Sequence, residues 1–282
     1  MPYIEDSIAA SDNLRLYVRR READRPRAEI VLVHGFGEHS GRYAALTEHL
    51  IEAGYTVTAY DHRGHGQSEG LRGHVESFSE YEDDLDRIAG WVRSRAEDRV
   101  LLLIGHSMGG LVTLRYSART ESRNVRALAG AVISAPLIGV ATPVPQHKLI
   151  IGLVAAKVAP RMRLDNEINS AVLSRDPEIG RAYAADPLVH RKVSARWYAE
   201  AVKAMREVVE LAPRIKTPLL VMHGSADRLA SVDATKRFYE QIGSADKELV
   251  VYEGWYHELF NEPDKYEVFN RVTSWLAKRI DS

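Results

Sequence analysis

Ser107 lies in Gly105-His106-Ser107-Met108-Gly109, a Gly-x-Ser-x-Gly pattern that directly follows an apolar run at 100–104 and precedes a helical pattern at 111–119. By composition alone this pattern arises in roughly one chain of this length in ten, so the spacing itself decides little. Its setting decides more. A tight, strained strand-to-helix turn pushes the serine side chain above a sheet, and glycines are needed where side chains would clash. The competing reading is a glycine-rich turn without chemistry, which the strand–turn–helix context disfavours. A serine hydroxyl is a poor nucleophile and needs a base to take its proton, oriented in turn by a carboxylate. Beyond such an elbow the partners follow in chain order, acid first and then histidine. Asp227 ends LLVMHGSAD (219–227), on a loop just beyond an apolar run, and His257 ends ELVVYEGWYH (248–257), just beyond the next. Of eleven histidines, His257 is the one that follows Asp227. The rival acid is Asp233, which sits where a helix N-terminus welcomes a carboxylate without any catalytic role, so Asp227 is preferred.

Attack by a serine on a carbonyl creates an oxyanion that needs two preorganised N–H donors. Met108, the residue after the serine, offers one at a helix start, where unpaired amides and the helix dipole favour negative charge. The second is expected from His34-Gly35-Phe36-Gly37, the loop after the apolar run at 30–33, through the amide of Phe36. The plainer alternative for that loop is a turn that needs glycine.

These residues require elements to hold them. Apolar runs at 30–33, 55–60, 100–104, 128–133, 219–222 and 248–252 predict strands, and segments at 43–53, 81–96, 111–119, 234–242 and 268–280 have helical spacing. Near-continuous apolar strands alternating with helices predict an α/β architecture with a parallel sheet covered on both faces. The alternation breaks at 137–212, where long helical stretches and no convincing strand suggest an inserted helical cap, leaving 1–136 and 213–282 as the core domain. Within the cap, 196–211 places Trp197, Val202, Met205, Val208 and Val209 on one helical face, most simply a packing stripe. The segment 149–159 is apolar nearly all around, interrupted by Lys157, and so requires a non-aqueous surrounding. That surrounding is either the core or an apolar lip at an acyl entrance or lipid surface.

Composition excludes several classes. Lys plus Arg number 38 against 39 Asp plus Glu, so the basic footprint of a nucleic-acid binder is missing. The absence of cysteine rules out disulfides, thiolate metal sites and a cysteine nucleophile. No apolar run reaches the ~20 residues of a bilayer span. Glu5 and Asp6 stand where a signal peptide needs a basic start and an apolar stretch, so a cytoplasmic protein is expected.

With these residues in hand, the chain resembles the α/β-hydrolase superfamily and, within it, the monoacylglycerol lipases, often also labelled lysophospholipases. The matching stretches are HGFGEHSGRY (34–43), DHRGHGQSEG (61–70), GHSMGG (105–110), ISAPL (133–137), VLSRDPE (172–178), AYAADPLV (182–189), HGSADRL (223–229) and YEGWYHELFNEP (252–263). They span nearly the whole chain. HG and GHSMGG belong to the wider superfamily, whereas GEHSGRY, the cap matches and HGSADRL are more specific. The resemblance implies an α/β-hydrolase fold with a helical cap, and hydrolysis of a single-chain acylglycerol ester without cofactor or metal. It implies Ser107, Asp227 and His257 as triad and the Phe36 and Met108 amides as oxyanion hole.

Two further positions match residues that meet the glycerol head group in such enzymes, Arg42 in SGRY and Tyr183 in AYAADPLV. A surface or ion-paired arginine and a cap packing residue are the respective alternatives, since pockets need only a few placed polar groups. Phe36 is bulkier than the alanine some relatives carry there, which leaves the backbone donor intact but bears on pocket width. The expected partner is a lipid ester, with transient membrane or micelle contact through 149–159. A lysophospholipase, a broad carboxylesterase or an acyltransferase would share these catalytic residues. A dehalogenase or epoxide hydrolase would need aspartate at the elbow, and a non-catalytic receptor on the same fold is the alternative outside enzymes.

Overall fold

The fold opens with a hairpin that apolar patterning does not reveal, β1 (Ile4–Ala9) against β2 (Arg15–Arg21). β1 is largely exposed, while β2 alternates, turning Leu16, Val18 and Arg20 inward. The inward arginine is matched by Glu29 at 2.7 Å and by the Thr58 hydroxyl at 3.0 Å, so the buried charge is paired. The computed structural model describes residues 2–119, 122–126, 128–142, 146–166 and 168–280.

The predicted apolar runs form β3 (Ala28–Val33), β4 (Tyr55–Tyr60), β5 (Leu101–His106) and β6 (Leu128–Ser134). Between them lie α1 (Ala44–Glu52), α2 (Ser79–Arg93), α3 (Met108–Ser117) and the short α4 (Arg123–Arg126). Past residue 136 come α5 (Gln146–Val158), β7 (Arg163–Asp165), α6 (Pro177–Ala185), β8 (Lys192–Ser194) and α7 (Ala195–Leu211). The regular beat resumes with β9 (Leu219–Gly224), α8 (Val232–Gln241), β10 (Lys247–Tyr252) and α9 (Lys265–Ala277). The main sheet has eight strands in the order β1-β2-β4-β3-β5-β6-β9-β10, antiparallel at the β1–β2 and β2–β4 pairs and parallel elsewhere.

Helices cover both faces. Ile30 and Leu32 of β3 pack with Leu46 and Leu50 of α1 and Val268 and Val272 of α9. Val31 and Val33, pointing the other way, pack with Leu85 of α2, Leu111 of α3 and Val208 of α7. Burial on both sides is why these strands lack polar alternation. Each such side chain contributes about 1.5–3 kcal/mol relative to exposure.

Between β6 and β9 the structure departs from expectation in one place, a strand pair, and in another favours the lip over the core for the apolar helix. β7 and β8 form a two-stranded antiparallel ribbon where no strand was expected, because three residues per strand, exposed throughout β7 and mostly polar in β8, leave no apolar signature. The apolar helix α5 is not buried all round. Ala155 and Ala156 pack on Ala195, whereas Ile150, Ile151, Val154 and Val158 are 60%, 63%, 54% and 78% exposed. On α7 the buried stripe is Trp197, Ala201, Ala204 and Val208, with Met205 and Val209 half-buried at its edge. Its N-cap Ser194 accepts from the Trp197 amide, and the Trp197 indole donates to Tyr81 at 3.1 Å. Arg115 of α3 bridges Glu82 of α2 at 2.5 Å and Glu207 of α7 at 2.8 Å, tying this helix to the sheet's own cover.

Candidate active site

Ser107 occupies the turn between β5 and α3 with φ 53 and ψ −117, a conformation that non-glycine residues rarely adopt and that costs on the order of 1–3 kcal/mol. Its carbonyl accepts from the Leu111 and Leu137 amides at 3.0 Å each, and its amide donates to Ser134 at 2.9 Å, so the surroundings hold the strain. A Cβ at Gly109 would run into the carbonyl oxygens of Val33 and His34, and one at Gly105 into Thr113 Oγ1 and the Gly109 carbonyl. Both glycines are therefore required by close backbone approach.

The loops after β9 and β10 bring Asp227 and His257 to the same sheet edge. His257 Nε2 lies 2.9 Å from Ser107 Oγ, and its Nδ1 lies 2.7 Å from Asp227 Oδ2. With Nδ1–H donating to the carboxylate, Nε2 presents its lone pair to the serine hydroxyl, the arrangement that can remove its proton. Burial works against charge on both partners, but each stabilises the other. Asp227 is pushed up by burial yet held far below the usual carboxylate range by the His257 charge and hydrogen bonds from His223 and His257. Burial pushes His257 down, while the Asp227 charge and hydrogen bond, with Glu258 and Glu38 behind, leave it raised above 6.5. Asp233 instead sits exposed in the first turn of α8 beneath the Ser231 cap, away from this relay.

The Phe36 and Met108 amides make no hydrogen bond among the described residues. Met108 begins α3, so its N–H adds to the positive helix end beside Ser107. The Phe36 ring packs on Trp197, centroids 4.0 Å apart, and stands edge-on to His65 and His190 at 5.3 Å each. This loop is braced from above as well. The His190 amide donates to the Gly37 carbonyl at 2.9 Å.

Above Ser107 opens a cavity of about 720 Å³, within the usual range for small-ligand sites. Its walls are mainly apolar, with Phe36, Leu137, Ile151, Leu164, Ile168 and Trp197 among them. Glu38, His106, Tyr183 and Glu258 also line it, as do Asp165 and Asn166 at the end of β7. Tyr183, on α6, is thus part of the cavity wall. Arg42 does not line the cavity. Its guanidinium is spent on carboxylates, 2.7 Å from Glu38 Oε2, 2.7 Å from Glu258 Oε1 and 2.8 Å from Glu258 Oε2, with the Tyr183 ring 4.9 Å away. The ion-paired alternative describes its contacts, and the two glutamates present the charge to the cavity instead.

Those glutamates were not legible as site residues. Glu38 also accepts from the Gly35 amide and the Tyr43 hydroxyl, each at 2.6 Å, so it pins the loop carrying Phe36. Burial pushes its carboxyl up, but Arg42 and the nearby His106 and His34 bring it down to about 2. Glu258 follows His257 directly and accepts from Asn261 at 2.8 Å. His106, beside the serine in sequence, has its ring centroid 4.8 Å from that of His257 and tilted against it, and burial followed by the His257 charge lowers it to about 4. A signal existed for Glu38 and Glu258, since both lie in the quoted motifs, but nothing in their spacing announces a shared arginine.

An eight-stranded, mostly parallel sheet carrying its serine on a strained turn after β5 defines an α/β-hydrolase. A family model described as serine aminopeptidase, S33, matches residues 24–264. The chain is 35% identical over 256 residues to a monoacylglycerol lipase of Mycolicibacterium smegmatis, covering 90% of each chain. It is likewise 35% identical over 261 residues to the phospholipase YtpA of Bacillus subtilis, covering 92% of this chain and 98% of that one. The crystal structure of Paleococcus ferrophilus monoacylglycerol lipase matches with a TM-score of 0.85 at 33% identity, over 94% of this chain and 99% of the other. The chain belongs to the monoacylglycerol lipase family of α/β-hydrolases and is a carboxylic ester hydrolase acting on lipid esters. Among the described residues no helix is long and apolar enough to cross a membrane.

Proposed function

We propose that this chain hydrolyses monoacylglycerols to fatty acid and glycerol through an acyl-enzyme on Ser107. His257 takes the serine proton as Oγ attacks the ester carbonyl, Asp227 stabilises the imidazolium, and the Phe36 and Met108 amides receive the oxyanion. His257 then protonates the departing glycerol oxygen, and water repeats the sequence on the acyl-enzyme. Residues 137–212 act as a cap over a core of 1–136 and 213–282, with the apolar cavity taking the acyl chain.

The observation that carries the substrate assignment is the acidic end of the cavity. Glu38 and Glu258, with one guanidinium between them, leave a net negative charge beside the serine. Carboxylate oxygens accept from glycerol hydroxyls, with the Tyr183 hydroxyl available alongside, whereas a phosphate placed there would meet like charge in a low-dielectric site. A second reading is favoured by the equally similar Bacillus subtilis relative, named a phospholipase. Rates on monoacylglycerol, diacylglycerol, lysophospholipid and simple esters of matched chain length separate the two. Monoacylglycerol should lead on kcat/KM, and a faster lysophospholipid would transfer the assignment to the second reading.

The exposed face of α5 supports transient docking on a lipid surface. Ile151, Gly152 and Ala155 line the cavity while Ile150, Val154 and Val158 point to solvent, so one helix joins the lipid-facing side to the acyl entrance.

A further inference from the structure

Four nitrogens surround the two carboxylate oxygens of Asp227. Oδ1 takes the backbone amides of Leu229 at 2.8 Å and Ala230 at 3.0 Å. Oδ2 takes His257 Nδ1 at 2.7 Å and has a second imidazole nitrogen, His223 Nε2, 3.1 Å away. His223 is fully buried near the end of β9, four residues before Asp227. Its Nε2 also lies 3.3 Å from the Ala230 carbonyl. Both neighbours of that nitrogen are acceptors, so it must carry the proton. Its Nδ1 meets no partner among the described residues, so the neutral Nε2–H tautomer avoids burying an unpaired donor.

We propose that His223 is a positioning residue of the hydrolytic site, sharing Asp227 Oδ2 with His257 and thereby fixing that oxygen and moderating the basicity of His257. The proposal rests on the triad reading above. A neutral ring adds no net charge, but its N–H, lying between the Ala230 carbonyl and Oδ2, brings the positive end of a dipole beside Oδ2 and offsets part of the negative potential felt at His257. Removing it leaves the carboxylate held by fewer donors and lets its full charge draw a proton onto His257. His257 is faced besides by Glu38 from the loop after β3, by His106 at the end of β5 and by its neighbour Glu258. None of these touches His223 in the hydrogen bonds and ion pairs described, so a substitution at 223 acts on His257 through Asp227.

The test compares His223→Leu, which removes the donor, with His223→Gln, which restores an N–H at similar reach. The readouts are kcat and KM on a water-soluble ester across pH, thermal melting, and fluorophosphonate labelling of wild-type Ser107. The leucine variant should raise the acidic limb of kcat/KM by about half a pH unit to one unit and lower kcat about tenfold, with KM changed less than twofold. The glutamine variant should recover limb and kcat to within about threefold of wild type. If Ser107 in the wild type does not label, the triad reading itself falls. If it labels, but the folded leucine variant keeps the wild-type limb and kcat, His223 has no positioning role. If the leucine variant does not fold, a glutamine variant that loses kcat tenfold or moves the limb overturns the proposal on its own.

Discussion

Arg42→Leu tests the arrangement at the polar end of the cavity. The wild-type guanidinium makes three hydrogen bonds of 2.7, 2.7 and 2.8 Å to Glu38 and Glu258, whose side chains are each only 5% exposed. After its removal Glu38 keeps the Gly35 amide and Tyr43 hydroxyl, whereas Glu258 keeps Asn261 as its side-chain donor. Breaking a buried pair by deleting one partner typically costs 3–5 kcal/mol, because a charge remains desolvated and unpaired. For a chain of this size the melting temperature should fall on the order of 10 °C at neutral pH. Glu258→Gln added to Arg42→Leu should return about half of that loss or more, since the less-supported stranded charge is gone. The pH dependence has a definite sign. Arg42 holds the Glu38 carboxyl down from 4.5 to about 2, so its contribution is fully present above 4.5 and disappears as pH falls towards 2. Melting curves and urea titrations of the wild type and both variants, at pH 7 and at pH 4, measure these differences. A loss below about 1 kcal/mol, the scale of an exposed pair, or no recovery in the double variant, refutes the reasoning.

Other expectations follow from the same geometry. His257 must be neutral to act as base and its pKa is raised above 6.5, so kcat/KM should fall as pH drops through a value above 6.5; an acidic limb centred below pH 6 contradicts this. Asp227→Asn should lower kcat by about 10³–10⁴ through loss of the His257 tautomer, while Asp233→Asn, on the exposed first turn of α8, stays within about twofold. Comparable losses in the two variants would sink the choice of acid. Replacing Ile150, Val154 and Val158 together by serine removes exposed apolar surface outside the cavity and should weaken vesicle binding at least about tenfold, leaving rates on short soluble esters unchanged. Unaltered vesicle binding would remove the docking role of α5.

The elements nearest the chemistry were the most legible. Strands buried on both faces carry continuous apolar runs, and Ser107, Asp227 and His257 stand just beyond their ends, so chain order picks out three residues that the structure brings within hydrogen-bond distance. β2 hid because its inward positions include Arg20, acceptable inside only because Glu29 and Thr58 from other strands complete it. β7 and β8 hid because three residues each are too few to show a periodicity. Arg42 was read for its motif and could not reveal its partners, since Glu258 lies 216 residues away and meets it only once β3 and β10 share a sheet edge. His223 escaped for a similar reason. In sequence it is one of many histidines before the acid, and its bond to Asp227 depends on how the loop after β9 folds back. At α5 the sequence left core packing and an exposed apolar lip open, because periodicity says nothing of what covers a helix that is apolar all round, and the structure leaves much of it facing outward.

The central claim is a covalent acyl intermediate on Ser107. Rapid quench of the wild type with a monoacylglycerol, followed by intact-mass and peptide mapping, measures it directly. The predicted result is a transient mass gain of one acyl group on the peptide bearing Ser107, with no gain and no turnover in a folded Ser107→Ala variant. Turnover of the same substrate by Ser107→Ala, or an acyl group found on another residue, would contradict the account.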